Sequence, residues 1–407
     1  MTDIASTSVM TGNEAAAAAV KLARVQVIAA YPITPQSPVV EQLSAWVESG
    51  ELAAEFVAVE SEHSALTVCI GASTVGARTF TATSANGLAY MTEQVWWAAG
   101  ARLPIVMCIA NRAMAAPWNV LNDQQDSMSV RDAGWVQLYC RNNQEILDTT
   151  VQAWRIAERL HLPVMVCYDG FLLSHTVMPV TVPDAAAVDA FLPAFTDPLT
   201  IVDPDDPRNI GAVTIADPRA DAEGVPRPGY MEIRASHHGA LLGALEVIPE
   251  VDAEYGAAVG RSWGGLAWEH LLDGAEIVLV AAGSLATQLT VVAEELRAEG
   301  VSAGVLGIRA YRPFPADLLR DRLAGRTVAL VFDKALSYGY DGPLCCDVRA
   351  ALLGSPEAPA VFGAVCGLGG REVTTAQLGA AARGALRDAQ GGTRIRPTDW
   401  INLHPEL

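Results

Sequence analysis

The chain has no Cys-x-x-Cys pair anywhere in its 407 residues. Its seven cysteines, Cys69, Cys108, Cys140, Cys167, Cys345, Cys346 and Cys366, are scattered, and most lie inside apolar runs, where a thiol behaves as a small core residue. An iron–sulfur centre needs closely spaced thiolates, so this pattern argues against a cluster or metal held by the chain itself. The seven histidines show no metal-ligand spacing, and the one adjacent pair, His237-His238, would point different ways on a helix. Positive charge is scarce as well: 27 Lys and Arg stand against 46 Asp and Glu, a formal charge of −19. A phosphate-binding face needs clustered cations, which speaks against nucleic acid or an anionic membrane surface as partner. No apolar run approaches the roughly 20 residues that span a bilayer. Met1-Thr2-Asp3-Ile4 has neither the basic start nor the apolar stretch of a secretion signal. These absences together read as a soluble, cytoplasmic protein in which disulfides are disfavoured.

What is present is apolar: 51% of residues, enough for a large core and, at this length, for two domains. A helix is expected over 12–25, with Asn13 as N-cap, Glu14 in the first turn and an alanine-rich body. Strands are expected at Val27 to Ala30, Phe56 to Val59, Thr79 to Thr83, Ile105 to Ala110, Val136 to Cys140 and Val164 to Tyr168. Helices at Val39 to Val47, Ala65 to Ala72, Leu88 to Ala99 and Ile146 to Leu160 separate them. Continuous apolar strands alternating with helices signal an α/β fold with a mostly parallel sheet covered on both faces. Residues 1–183 form this first unit. Residues 184–262 hold a Pro- and Asp-rich excursion, with Asp203-Pro204-Asp205-Asp206-Pro207 at its centre, and a bridging helix near Arg234 to Ala258. A second α/β unit over 263–407 has strands at Ile277 to Val280, Ser302 to Ile308, Val328 to Phe332 and Ala360 to Cys366, helices at Ala286 to Glu299 and Cys345 to Leu353, a rigid turn at Tyr311 to Pro315, and an irregular tail past Gly391.

Candidate chemistry gathers at strand ends in the first unit. Tyr31-Pro32-Ile33-Thr34-Pro35 is a rigid turn, because two prolines three residues apart forbid regular helix or central strand. Glu60-Ser61-Glu62 follows the next strand. A desolvated carboxyl there would hold a proton for donation at neutral pH, while helix capping is the plainer role. Arg112 follows a strand and suits bidentate contact with a substrate carboxylate, although a surface arginine is the plainer reading. Asn122-Asp123-Gln124-Gln125-Asp126 is either a site wall or a capped turn. Trp96-Trp97 suits core packing, whereas the loop residue Trp118 is harder to explain by packing alone. Gly367-Leu368-Gly369-Gly370 and Ala281-Ala282-Gly283-Ser284 lack the full dinucleotide fingerprint and read as structural turns.

Taken in order, these segments resemble the alpha subunit of the 2-oxoacid:ferredoxin oxidoreductases, the pyruvate:ferredoxin oxidoreductase family. The resemblance runs over nearly the whole chain: Tyr31 to Pro35, Glu60-Ser61-Glu62 with Ser64-Ala65, Thr79-Phe80-Thr81 with Gly87-Leu88, Asn111-Arg112-Ala113, Asp123, Asp126-Ser127-Met128, Gly283-Ser284, Arg312-Pro313-Phe314-Pro315, Asp341-Gly342-Pro343-Leu344 and Gly367 to Arg371. It implies a pyrimidine-type thiamine-diphosphate-binding parallel-sheet domain followed by a transketolase C-terminal-like α/β domain. It implies that Glu62 bonds the aminopyrimidine of thiamine diphosphate, that Thr34 contacts substrate, and that Arg112 clamps the 2-oxo acid's carboxylate. Tyr31, Pro32 and Asn86 would lie on the cofactor side, and Trp118 and Asp126 in a substrate pocket.

The metal-bound diphosphate needs a Gly-Asp-Gly segment and a downstream asparagine. Tyr168-Asp169-Gly170, the nearest match, lacks the leading glycine and follows the wrong strand. The resemblance therefore implies partners: a beta subunit with the diphosphate and Mg2+ site, and gamma and ferredoxin-like delta subunits carrying iron–sulfur clusters. Electrons would pass to ferredoxin or, through a flavin subunit, to NAD. The implied reaction is oxidative decarboxylation of a 2-oxo acid with coenzyme A to acyl-CoA and carbon dioxide. Pyruvate is the commonest substrate of such enzymes, with a branched or aromatic acid such as phenylglyoxylate the alternative if Trp118 lines the pocket. A self-sufficient transketolase-type enzyme and a non-catalytic assembly subunit are the rival readings.

Overall fold

The computed structural model describes residues 6–197, 219–220, 226–227 and 229–404. Most of the Pro- and Asp-rich excursion, including Asp203 to Pro207, and the first five residues lie outside the described residues.

Two parallel sheets organise the chain. The first has seven strands among the described residues, in the order Ala310–Arg312, Val136–Tyr139, Val164–Asp169, Ile105–Asn111, Thr79–Thr83, Val27–Ala30, Glu55–Ala58. Its central strands are buried along their whole length, as a parallel sheet covered on both faces requires. Helices Gly12–Leu22 and Asn143–Leu160 pack together on one face; the alanines of the first allow a close approach. Strand order reverses between Val27–Ala30 and Thr79–Thr83, and these two pair only at Val27 with Thr79 and Ile28 with Phe80. Beyond those two pairs the strands part, opening a crevice at their carboxyl ends, where open α/β sheets bind ligands.

The second sheet runs Ala267–His270, Ala303–Ile308, Ile277–Ala282, Val328–Asp333, Ala360–Val365, Asp399–Trp400. Its core strands and the helices Ser284–Ala298 and Thr375–Gln390 enclose a separate apolar cluster. The two sheets are not independent. Ala310–Arg312 leaves the second unit and adds antiparallel to Val136–Tyr139 of the first, so the expected turn at Tyr311 to Pro315 begins as a strand. Arg309, fully buried, reaches Glu145, Thr149 and Gln152 of the first unit. The bridging helix Tyr230–Val259 is fixed at its end by Asp252, which accepts the backbone N–H groups of Trp263, Gly264 and Gly265 and the Gln152 amide.

Several local expectations are corrected. Thr11, not Asn13, caps the first helix, in a reciprocal box with Glu14. The run Leu88 to Ala99 is two helices, Ala85–Tyr90 and Thr92–Gly100, broken at Met91. Trp96 and Trp97 are partly exposed on the second of these and are not core residues. The tail past Gly391 contributes the short strand Asp399–Trp400. All seven cysteines are free and, Cys346 apart, buried. No helix among the described residues is long and apolar enough to cross a membrane.

Candidate active site at the sheet crevice

The turn after Val27–Ala30 is held from inside. Asn13 Nδ2 donates to the Pro35 carbonyl at 2.8 Å, and the Tyr168 hydroxyl donates to Asn13 Oδ1 at 3.0 Å. Gln36 Nε2 bonds the Tyr31 carbonyl, closing the loop on itself. Thr34 is thereby presented at the surface, with Tyr31 and Pro32 exposed beside it.

Glu62 opens the helix Glu62–Thr74 and is 7% exposed. It does not cap that helix: Ser61 does, its Oγ accepting the Ser64 N–H, while Glu60 takes the Ser64 hydroxyl. The Glu62 carboxylate accepts no hydrogen bond among the described residues. Against it stands Gly87. A Cβ there would lie 2.6 Å from Glu62 Oε1 and 2.4 Å from Thr83 Oγ1, so only glycine lets the helix Ala85–Tyr90 approach this closely. The Thr83 hydroxyl is itself buried without a partner.

Arg112, at the end of Ile105–Asn111, donates through Nη1 to the Thr34 carbonyl at 2.7 Å, joining two of the expected site residues. Its Nε is buried without a hydrogen-bond partner. Burial depresses the guanidinium, and Asp126 partly counters this. Asp126 is not a pocket wall. It is fully buried, and its oxygens accept the N–H groups of Ala85, Arg112 and Ser127 and the Asn111 side-chain amide, at 2.7–3.0 Å. Burial pushes it up to about 6. Asp126 thus brackets two strand-end turns, and it holds Ala85 at φ 45°, a left-handed conformation that costs about 1–2 kcal/mol in a residue with a Cβ. Asn86 turns outward from this bracket and accepts the Ala115 N–H at 3.1 Å, steadying the loop that carries Trp118. Trp118 is 76% exposed.

The second sheet meets this site through the segment 119–126. Gly369 and Gly370, at φ 57° and 72°, give their N–H groups to Asp123 Oδ2 and the Asn122 carbonyl. These glycine amides are therefore spent on the chain itself and do not cradle a phosphate. The N-terminus of Ser284–Ala298 is spent likewise: Ser284 donates through both N–H and hydroxyl to Asp169 Oδ2. A cavity of about 780 Å³ lies beside it, lined in part by Ser284, Lys334, Cys366 and Gly367. Burial raises Asp169, yet Lys334, Ser284 and Asn122 outweigh that and hold it below the usual carboxylate range. So engaged, the Asp169 of Tyr168-Asp169-Gly170 is no metal ligand in this arrangement. Among the described residues no group of three or more His, Cys, Asp or Glu could hold a metal ion.

Sequence reasoning named Thr34, Glu62 and Arg112, of which the structure joins Thr34 to Arg112. It read Asn13 as a cap and Asn122 as part of a polar loop and gave Lys334 no role, whereas these residues and Asn111 hold the turns that carry Thr34 and Arg112. The one available signal was Thr11-x-x-Glu14: that box assigns the cap to Thr11 and leaves Asn13 as an unexplained polar residue in an alanine-rich helix.

Comparison with known proteins bears on family and fold. Residues 18–233, just over half the chain, fit the family model described as pyruvate flavodoxin/ferredoxin oxidoreductase, thiamine diphosphate binding, and residues 275–378 fit pyruvate:ferredoxin oxidoreductase core domain II. The pyruvate synthase subunit PorA of Methanocaldococcus jannaschii is 46% identical over 90% of this chain and 91% of its own length. The ketoisovalerate oxidoreductase subunit VorA of Pyrococcus abyssi is 40% identical over 97% of each. In fold, the chain superposes on the 2-oxoglutarate:ferredoxin oxidoreductase from Magnetococcus marinus with TM-score 0.67 at 18% identity, covering 93% of this chain and 65% of that one. A split-gene transketolase gives TM-score 0.51 at 15% identity, over 93% of this chain and 98% of that one. Near-full-length identity above 40% and two consecutive domain matches leave one assignment: the chain belongs to the 2-oxoacid:ferredoxin oxidoreductase family, as an alpha-type subunit.

Proposed function

We propose that this subunit supplies the pyrimidine half of a shared thiamine-diphosphate site and carries out, with partner subunits, the coenzyme A-dependent oxidative decarboxylation of pyruvate to acetyl-CoA and carbon dioxide. The observation that carries the reading is Glu62: a buried carboxylate, relieved of capping by Ser61, bonded to nothing among the described residues and backed closely by Gly87.

That environment suits the aminopyrimidine end of the cofactor, a flat ring offering nitrogen to a carboxyl group. When bound, thiamine diphosphate supplies the carbanion chemistry that decarboxylation of a 2-oxo acid requires. Glu62 is the residue that would hydrogen-bond the ring nitrogen when the cofactor is bound. Arg112 binds the substrate carboxylate with donors not given to Thr34, and its desolvated Nε adds to the attraction. Thr34, exposed at the mouth, offers its hydroxyl to the substrate. Tyr31, Pro32 and Asn86 are the residues that would border the ring. The beta subunit contributes the diphosphate and Mg2+ site, since Asp169 is committed internally, and gamma and delta subunits take the electrons on iron–sulfur clusters. Pyruvate is favoured because the pyruvate synthase subunit PorA is 46% identical to this chain, against 40% for the ketoisovalerate subunit VorA.

The test is Glu62→Gln in the assembled complex, assayed with coenzyme A against a panel of 2-oxo acids. Turnover should fall by at least about a hundredfold, the usual worth of a positioned acid–base group, with assembly unchanged. Parent activity in this variant would end the reading, and a preference for another acid over pyruvate would correct its substrate.

A further inference from the structure

We propose that Lys334, from the second sheet, is a positioning residue for Arg112. The inference rests on the reading of Arg112 as the carboxylate clamp.

Lys334 follows Val328–Asp333 and is almost wholly buried. Its Nζ lies 3.4 Å from Asp169 Oδ1 and donates to Asn122 Oδ1. Its carbonyl accepts the Gln124 N–H at 2.8 Å. From Asn122 the contacts run to the first sheet: Nδ2 donates to Asp169 Oδ1 at 2.8 Å and to the Asn111 carbonyl at 3.4 Å. Asn111 in turn bonds Asp126 at 2.7 Å, and Asp126 holds the Arg112 N–H at 3.0 Å. The segment 122–126 is therefore gripped by Lys334 on one side, through ammonium and carbonyl, and grips Arg112 on the other. Lys334 has little freedom to serve otherwise, because Gly367 closes over its stem, with a would-be Cβ 3.3 Å from Cε.

A simpler role competes: Lys334 only neutralises the buried Asp169. The double variant Lys334→Met/Asp169→Asn separates the two, because it removes both charges and also the grip on Asn122. In the assembled complex we expect it to melt within about 3 °C of the parent, while KM for the 2-oxo acid rises about tenfold and kcat changes by less than about twofold. Asn122→Ala, which leaves Lys334 facing Asp169, should raise KM in the same way and reads the same link if the double variant fails to assemble. Arg112→Lys is measured alongside. A parent-like KM in the Lys334 or Asn122 variants beside a raised KM in Arg112→Lys overturns the positioning role and spares the clamp. A parent-like KM in all of them overturns the clamp and this proposal with it. A fall in kcat with KM unmoved also overturns it.

Discussion

Arg112 gives one guanidinium N–H to the carbonyl of Thr34 at 2.7 Å, across 78 residues of sequence. The contact ties the turn that presents the hydroxyl to the group placed to grip an anion, so the two cannot move apart without leaving a buried donor unmet.

Replacing that guanidinium by an ammonium keeps charge and loses the planar fork. Arg112→Lys should raise KM for the 2-oxo acid about tenfold, with kcat affected less. Steady-state kinetics at saturating coenzyme A checks this, and an unchanged KM would count against the clamp.

Gly87 is the wall behind Glu62. A methyl group there must displace Thr83 Oγ1 or the carboxylate, at a packing cost of about 1–3 kcal/mol. Gly87→Ala should lower kcat at least about tenfold while the chain still assembles. Circular dichroism together with turnover measures both, and full activity would show that the carboxylate has room to yield.

Asp333 accepts the N–H groups of Leu344 and Cys345 at the start of the helix Pro343–Leu352. Burial, with Asp341 and Asp347 adding to it, pushes this acid up to about 7 from an ordinary 3.8. Unfolded, it ionises near 4; folded, it keeps its proton to about 7. Between those values the unfolded chain releases a proton that the folded chain retains, so stability falls as pH rises. Asp333→Asn carries no such titration. The parent's stability relative to this variant should be greatest below about pH 4 and decline through pH 7. Denaturant melts of both at several pH values test it, and a constant difference would refute it.

Arg309 and Glu145 are both fully buried, 3.2 Å apart, and join the two sheets. Arg309→Met removes the nearer of the carboxylate's two cations, leaving Arg141 at 3.7 Å, and should cost about 3–5 kcal/mol, most of it recovered by adding Glu145→Gln. Melting temperatures of the single and double variants decide. No recovery would mean that the contacts of Arg309 with Thr149, Gln152 and Gly265 matter more than charge.

The strand–helix alternation was legible because buried parallel strands write continuous apolar runs, as at Ile105 to Ala110. The strand-end positions of Glu62 and Arg112 were legible because such runs stop just before them. The bracket around Asp126 was not, since its partners Ala85, Asn111 and Arg112 converge only once strand order is known. Trp118 is the opposite case: a large loop aromatic that is 76% exposed among the described residues. The short strand Ala310–Arg312 was hidden by Pro313, which dominates the local pattern and reads as a turn.

That short strand also sets an order of events at the ribosome. The edge formed by Val136–Tyr139 is exposed to solvent until Ala310–Arg312 has been made, an interval of roughly 10 to 30 s at ordinary synthesis speeds. For that time the nascent chain carries an open template for mispairing with its neighbours on the same message. A gene cut in the linker before the second unit would make that interval permanent.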